Sequence, residues 1–403
     1  MNQTQTHLAT QSHDRRTTSR QTVLYYLGFI ALGMATAAIG PTIEGLARHT
    51  HSQLSEISIL FTVQSLGYLI GSSQIGKLYD RVPSHFLMAA GLLGMVVMMA
   101  LLPIIPILWV LMIAIFFLGI AAGILDLGGN TLLVWVHGDR VGPFMNGLHL
   151  FFGIGSFIAP IIVSRIVLVS GDITLAYWAL AALMVPTLAG LLIQPGPKAV
   201  KEVQSKTPAH IQPMIIAVIA VLFFLFVGAE VGYGGWIHTY AVKQNLGGET
   251  TAAVLNSAFW GALTAGRFVG IPIAARIHPR WILLGDLFVA MTGCTIAVLN
   301  PNSLAATWAA TLLVGLGIAS LFPSLLALAE HSLALSARVM SWFFVGSSLG
   351  GLALPWLIGQ MIEPVGAWTM MGMILADLVI GLITLGFLLR LLGTRQPVQS
   401  QAG

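Results

Sequence analysis

The chain has 403 residues, of which 57% are hydrophobic and only 8% charged, and its mean hydropathy is +0.89. Soluble domains carry about 25% charged residues, so this composition excludes a water-exposed globule of this size and makes lipid the main solvent. The formal net charge of +4 comes from basic residues at the ends of apolar runs, not from a basic tract interleaved with aromatics, which argues against nucleic-acid binding.

A membrane-spanning helix needs about 20 mostly apolar residues. Residues 1–21 are polar and lack the early apolar core of a secretory signal. Beyond them, apolar runs predict helices over 22–43, 53–76, 84–104, 107–136, 141–168, 173–194, 212–242, 250–273, 280–299, 304–331, 337–361 and 366–391. Pro103 and Pro106 mark the turn between the third and fourth. Segments that meet lipid must satisfy their backbone internally, and the alternation of a barrel strand is absent, so these runs are helices. The expected fold is an all-α membrane protein with twelve transmembrane helices in two pseudo-symmetric six-helix bundles, over 22–194 and 212–391. The polar break Pro195–His210 supplies a cytoplasmic linker over 195–211, and short cytoplasmic tails occupy 1–21 and 392–403.

Lysine and arginine set the direction. With the N-terminus in the cytoplasm, Arg15, Arg16, Arg20, Lys77, Arg81, Arg140, Lys198, Lys201, Lys206, Arg276, Arg280, Arg338, Arg390 and Arg395 fall inside. Only Arg48, Arg165 and Lys243 fall near the outside. This predicts a multi-pass protein of the cell (inner) membrane with both termini cytoplasmic.

Internal repeats support two halves. Gly155-x4-Pro160 in the fifth helix recurs as Gly350-x4-Pro355 in the eleventh. Gly71 matches Gly266, and Gly119 matches Gly315, at a shared offset of about 195 residues that duplicated halves predict.

Between the second and third helices stands Gly76-Lys77-Leu78-Tyr79-Asp80-Arg81, which resembles the signature loop of the major facilitator superfamily. In that family the Asp caps a neighbouring helix and joins a gating charge cluster, a role the resemblance assigns to Gly76, Asp80 and Arg81. Pro83-Ser84-His85 replaces the glycine and arginines that normally follow. Gly40-Pro41-Thr42, Leu125–Asn130, His149–Gly155 and Gly228–Trp236 together look like the sodium-dependent glucose transporter branch and, more distantly, the fucose permeases. The resemblance implies monosaccharide transport coupled to an ion.

An ionisable group inside a span costs about 2.5–3.5 kcal/mol on insertion scales, so each needs a reason. Asp126 in the fourth helix and Glu230 in the seventh are the ion-coupling candidates, with sodium or a proton as the cation near either. Asp126 and Asn130 share a face at i,i+4 and offer a carboxylate and an amide to hydroxyls or a cation. Gly228, Gly232, Gly234 and Gly235 predict a weakened seventh helix, as in transporters whose broken helices line the substrate site. Tyr233, Trp236 and Tyr240 fall on one face, where aromatic rings could stack on sugar C–H groups; an aromatic belt at the outer interface is the competing reading and suits Tyr240 best.

Asn256 and Trp260 on the eighth helix, Asn146 and His149 on the fifth, and Trp342 on the eleventh complete the substrate-binding candidates. Arg267, nearer the cytoplasm, is expected to pair structurally with Asp286. Glu44, Arg48, Glu56 and Asp172 read as helix-end residues without a special role. The sole cysteine, Cys294, reads as a packed hydrophobe.

The P-loop near miss from Gly71 to Leu78 lacks the hydroxyl after its lysine, and no metal-ligand or nucleophile motif stands out. No cofactor and no enzymatic activity are expected. The expected partners are a small solute, a coupling cation and the bilayer, with a monomer sufficient. The alternative of the same fold is a proton-driven drug or metabolite exporter.

Overall fold

The computed structural model describes residues 3–74, 78–79, 81–197, 213–332 and 337–393. Fourteen α-helices follow in chain order: α1 Gln3–His49, α2 Leu54–Ile57, α3 Ile59–Ser73, α4 Ser84–Leu101, α5 Leu108–His137, α6 Val141–Ser170, α7 Thr174–Ile193, α8 Pro213–Lys243, α9 Glu249–Ala274, α10 Pro279–Leu299, α11 Leu304–Ile318, α12 Leu321–Ser332, α13 Ala337–Ile362 and α14 Thr369–Gly393. The pairs α2–α3 and α11–α12 each form one broken span, giving twelve. Pro323 explains the second break, because its ring crowds the carbonyl of residue 319, where the helix is interrupted.

Among the described residues, eleven spans are long and apolar enough to cross a membrane. The other, α9, has 26 residues and is about 39 Å long at 1.5 Å per residue. Its Glu249, Asn256, Arg267 and threonines lower its hydropathy, so its polarity belongs to a helix that faces protein or a cavity.

The polar leader is helical, since α1 begins at Gln3; neither Gly nor Pro occurs before Gly28 to break it. One expectation is corrected. The glycine-rich stretch of α8 is continuous, within an unbroken 31-residue helix. Its glycines serve close approach: a Cβ on Gly235 would collide with the Phe61 ring, and one on Gly234 with Trp260. The linker is described only as far as residue 197, where Gln21 Nε2 donates to the Pro195 carbonyl at 2.9 Å.

The internal repeat reappears as packing. A Cβ on Gly155 of α6 would strike a backbone carbonyl of α1, at Ile30, and one on Gly350 of α13 would strike the equivalent carbonyl of α8, at Phe224. Gly119 of α5 abuts Gln64 of α3, as Gly315 of α11 abuts Phe259 of α9. In lipid, helices associate through such close packing of small residues. The same glycine therefore closes the same helix pair in each half.

The halves meet along one end and through the middle. Gly40 of α1 packs against Gly234 and Asn256; Phe61 of α3 against Trp236; Phe157 of α6 against Gly261; and Gly153 of α6 against Thr264. At the far end of these contacts, Glu363 accepts from Leu54 N at 2.9 Å and from Ser55 Oγ at 3.3 Å. Gln360 Nε2 donates to the Ser55 carbonyl at 2.6 Å and to Ser58 Oγ at 3.2 Å. This is the latched face. Toward the opposite face, Val134, Asn146, Trp342 and Phe344 are exposed. That face carries Arg81, Arg140, Arg276 and Arg280 at its helix ends.

Candidate functional site

Asp126 sits on α5 among fully buried neighbours, Leu125, Leu132 and Leu133, yet it and Asn130 are partly exposed. They therefore face an internal opening. Tyr68 of α3 donates its hydroxyl to Asp126 Oδ2. Asn130 Nδ2 donates to the Asp126 carbonyl at 2.9 Å and to its Oδ1 at 3.1 Å. The expected shared face is present, but the amide hydrogens of Asn130 are turned onto Asp126. What the N-terminal half presents is a carboxylate held by a phenol and an amide, with lone pairs left for a solute hydroxyl or a cation.

The C-terminal half presents a charged pair. Arg267 Nη2 donates to Glu230 Oε1 at 3.2 Å and Oε2 at 3.4 Å, with the two side chains only 26% and 16% exposed. This corrects the expected Arg267–Asp286 pairing: Asp286 instead accepts from Ser320 Oγ at 2.7 Å. The pair resolves two costs at once, because a half-buried guanidinium and a half-buried carboxylate each need a counter-charge. Glu230 is therefore compensated in this state, whereas Asp126 has only neutral partners among the described residues.

The two walls approach each other where Gly153 of α6 meets Thr264 of α9. One turn from that crossing, His149 on α6 is within electrostatic range of Arg267 and sets its ring edge-on to Phe29 at 6.1 Å. His149 and Asn146 are both exposed on this inner stretch of α6. Tyr26 stacks on Phe151 at 4.7 Å, adding an aromatic surface beside them.

Other candidates lie off this opening. Tyr233 is fully buried, bonds Thr311 Oγ1 at 3.0 Å and stacks on Phe259. Trp236 is fully buried and donates to the Pro355 carbonyl at 2.8 Å. Tyr240 is buried and donates to the Pro301 carbonyl at 3.4 Å. Their polar atoms are engaged within the C-terminal bundle, so in this state none of the three is open to a solute. Asn256 is buried and donates to the Gly234 carbonyl at 2.6 Å. Trp260 sets its ring edge-on to Phe152 across the two halves, at 6.3 Å. Trp342 is 55% exposed near the start of α13. Gly76 and Asp80 lie outside the described residues; Arg81 is exposed.

Tyr68 was not singled out by the sequence, where it is one tyrosine in an apolar run. Its only signal is helical register with the second span's packing glycines, Gly67 and Gly71, which abut α5.

Two pseudo-symmetric bundles, latched at one face and enclosing polar side chains at their centre, define a membrane transporter of the rocking two-domain type. The model of the Major Facilitator Superfamily matches residues 25–355, and the chain belongs to that family. It is 28% identical over 373 residues to sodium-dependent glucose transporter 1A of Mus musculus, covering 83% of this chain and 88% of that one. It is 31% identical over 374 residues to sodium-dependent glucose transporter 1 of Danio rerio, covering 83% of this chain and 63% of that longer one. Major facilitator superfamily domain-containing protein 4A of Xenopus tropicalis is 25% identical over 440 residues, covering 87% of each. Among solved structures, the nucleoside transporter NupG superposes with a TM-score of 0.73 at 12% identity, covering 93% of this chain and 99% of that one. A bacterial homologue of the lysosomal transporter Spinster gives 0.72 at 12% identity, covering 93% and 96%.

Proposed function

We propose that this protein is a secondary active transporter that moves a monosaccharide by alternating access with a symported cation, sodium or a proton. The observation that carries the reading is a partly exposed polar cluster in the interior of each half: Tyr68–Asp126–Asn130 in one and Glu230–Arg267 in the other. A sugar offers hydroxyls that both donate and accept, and these clusters supply carboxylate acceptors and a guanidinium donor. Tyr26, Phe151 and Phe152 supply ring faces beside them. The resemblance to transporters named for sodium-dependent glucose transport supports the same solute class. Of the two central acids, Asp126 is the one whose charge no neighbouring cation offsets, so it is the group in the opening that a symported cation would neutralise.

The Lys/Arg distribution supports a cell-membrane protein whose latched face is extracytoplasmic and whose open, arginine-bearing face is cytoplasmic. The structure then corresponds to an inward-open state. Uptake of labelled glucose and fucose into proteoliposomes, under sodium and proton gradients separately, tests the reading. Concentrative uptake driven by one ion is the expected result. Failure of every sugar under both gradients, in folded protein, overturns it in favour of an exporter of a different solute class.

A further inference from the structure

Along α9, Asn256, Trp260, Thr264 and Arg267 follow one another at steps of four, four and three residues, so they share one helical face. Arg267 belongs to the charged cluster with Glu230. Trp260 and Asn256 stand about two and three turns from it, toward the latched end. In this state both are closed off, at 4% and 0% exposure.

Each of the two leaves one polar atom idle. Trp260 Nε1 and Asn256 Oδ1 are buried and make no hydrogen bond. The Asn256 amide nitrogen donates to the Gly234 carbonyl of α8 at 2.6 Å, which fixes where its Oδ1 stands. The Trp260 indole borders the same glycine. A Cβ on Gly234 would lie 2.6 Å from Trp260 Cζ2 and 3.1 Å from Cε2, the ring carbon bonded to Nε1. An idle acceptor and an idle donor therefore flank one residue of α8, one turn apart on α9.

Buried polar atoms of native proteins are nearly always paired, and leaving one unpaired is costly. What covers these two side chains comes from the other half. A Cβ on Gly40 of α1 would lie 3.2 Å from Asn256 Nδ2, and Phe152 of α6 meets the Trp260 ring edge-on at 6.3 Å. Neither a glycine nor a phenyl side chain supplies a conventional hydrogen bond. Both covers withdraw when the halves part at the latched end.

We infer that Asn256 and Trp260 are solute contacts of the opposite state, in which the latched end is open: Asn256 Oδ1 accepts from a solute hydroxyl and Trp260 Nε1 donates to one. The inference rests on the transport reading above and deepens it, because the solute then has different partners in the two states. A hydroxyl-rich solute fits, since hydroxyls both donate and accept. As the latch closes, Gly40 and Phe152 cover the pair, and the solute is left to the polar groups further along the same α9 face, beginning with Arg267.

The test uses the full chain with Cys294→Ser as background. Uptake of labelled glucose presented at the latched face is competed with unlabelled glucose and with the series of monodeoxyglucoses. In the parent, the analogue that lacks the hydroxyl met by Trp260 Nε1 is expected to compete about tenfold less well than glucose, the worth of one hydrogen bond. In Trp260→Phe the half-saturating glucose concentration is expected to rise about tenfold, and that analogue is expected to compete as well as glucose. Asn256→Leu is expected to do the same for the hydroxyl that donates to Oδ1. Lost packing alone would instead weaken glucose and every analogue together.

State dependence is read across the latch, where Gln360 Nε2 touches the Ser55 carbonyl at 2.6 Å. Ser55→Cys and Gln360→Cys joined by a short thiol cross-linker hold that end shut, and Trp260→Phe is then expected to leave glucose affinity as it is in the cross-linked parent. Asn256→Cys is expected to react with an impermeant maleimide from the latched face, and the cross-link to stop it. A uniform loss across the analogues, an affinity change that persists in cross-linked protein, or an Asn256→Cys that never labels from that face overturns the inference. A parent that takes up neither glucose nor fucose removes the sugar reading; the pair then stands if Asn256→Cys labelling stops on cross-linking and falls if it does not.

Discussion

Arg267 of α9 reaches both carboxylate oxygens of Glu230 on α8, at 3.2 and 3.4 Å. Both residues lie deep in spans, and each is the other's reason for being affordable there. Removing one strands the other. For fully buried pairs that costs about 3–5 kcal/mol; with 26% and 16% exposure and solvent screening, roughly 1–3 kcal/mol is expected here. Glu230→Gln and Arg267→Gln should each lower the melting temperature in detergent, while the double variant regains much of the loss. Additive losses in the double-mutant cycle would show that the pair is not coupled.

Tyr68 and Asp126 make the second prediction. The phenol donates to a carboxylate, a hydrogen bond worth about 1.5–3 kcal/mol. Tyr68→Phe deletes the hydroxyl and keeps the ring, so folding should be little changed. If Tyr68 positions Asp126 for solute or cation, kcat/KM for uptake should fall roughly 10- to 100-fold at 1.36 kcal/mol per decade. Unchanged uptake with unchanged stability would remove Tyr68 from the site.

The sequence carried the architecture further than the site, for a physical reason. Lipid admits few backbone solutions, so apolar runs and arginine placement are strong signals for spans. The glycine offset was equally legible, because Gly155 and Gly350 are held by the same kind of backbone contact in each half. Site residues depend instead on which helices face one another. Arg267 lies 37 residues from Glu230 and 19 from Asp286, and nothing in the spacing chose between them. Tyr233 and Trp236 share a helical face, but their polar atoms are taken up within their own bundle by Thr311 and Pro355, and the Trp236 ring packs across the halves on Phe61.

At the interface of the halves, Gly153 lies where any Cβ would collide with the Thr264 side chain. Gly153→Ala should leave each bundle folded, since the clash is between bundles, but should disfavour the latched state. Labelling of a Ser58→Cys reporter, fully buried at the latched end, by an impermeant maleimide in a Cys294→Ser background should rise several-fold. Thr264→Gly in the same chain removes the colliding atoms and should restore the parent rate, at a cost of roughly a few tenths of a kcal/mol in helix stability. A labelling rate that Gly153→Ala leaves untouched would mean that this crossing does not govern the gate.

Outside the spans, Asp172 between α6 and α7 offers a pH test. The Thr174 hydroxyl, at 2.5 Å, is the main cause that holds its carboxyl below the usual range. Backbone donors at Ile173 and Thr174 and the nearby His49 ring add to it, with His49 Nε2 at 3.1 Å. A folded-state pKa below the unfolded value gives stability that is present above the unfolded pKa, near pH 4, and is lost as pH falls through the folded one. The side chain is 45% exposed, so the contribution is limited to a few tenths of a kcal/mol. Asp172→Asn should lower the melting temperature slightly at pH 7, and the difference from the parent should vanish as the pH is lowered toward 3. A difference that persists unchanged into acid would assign the effect to lost packing of the loop instead of to the carboxylate charge.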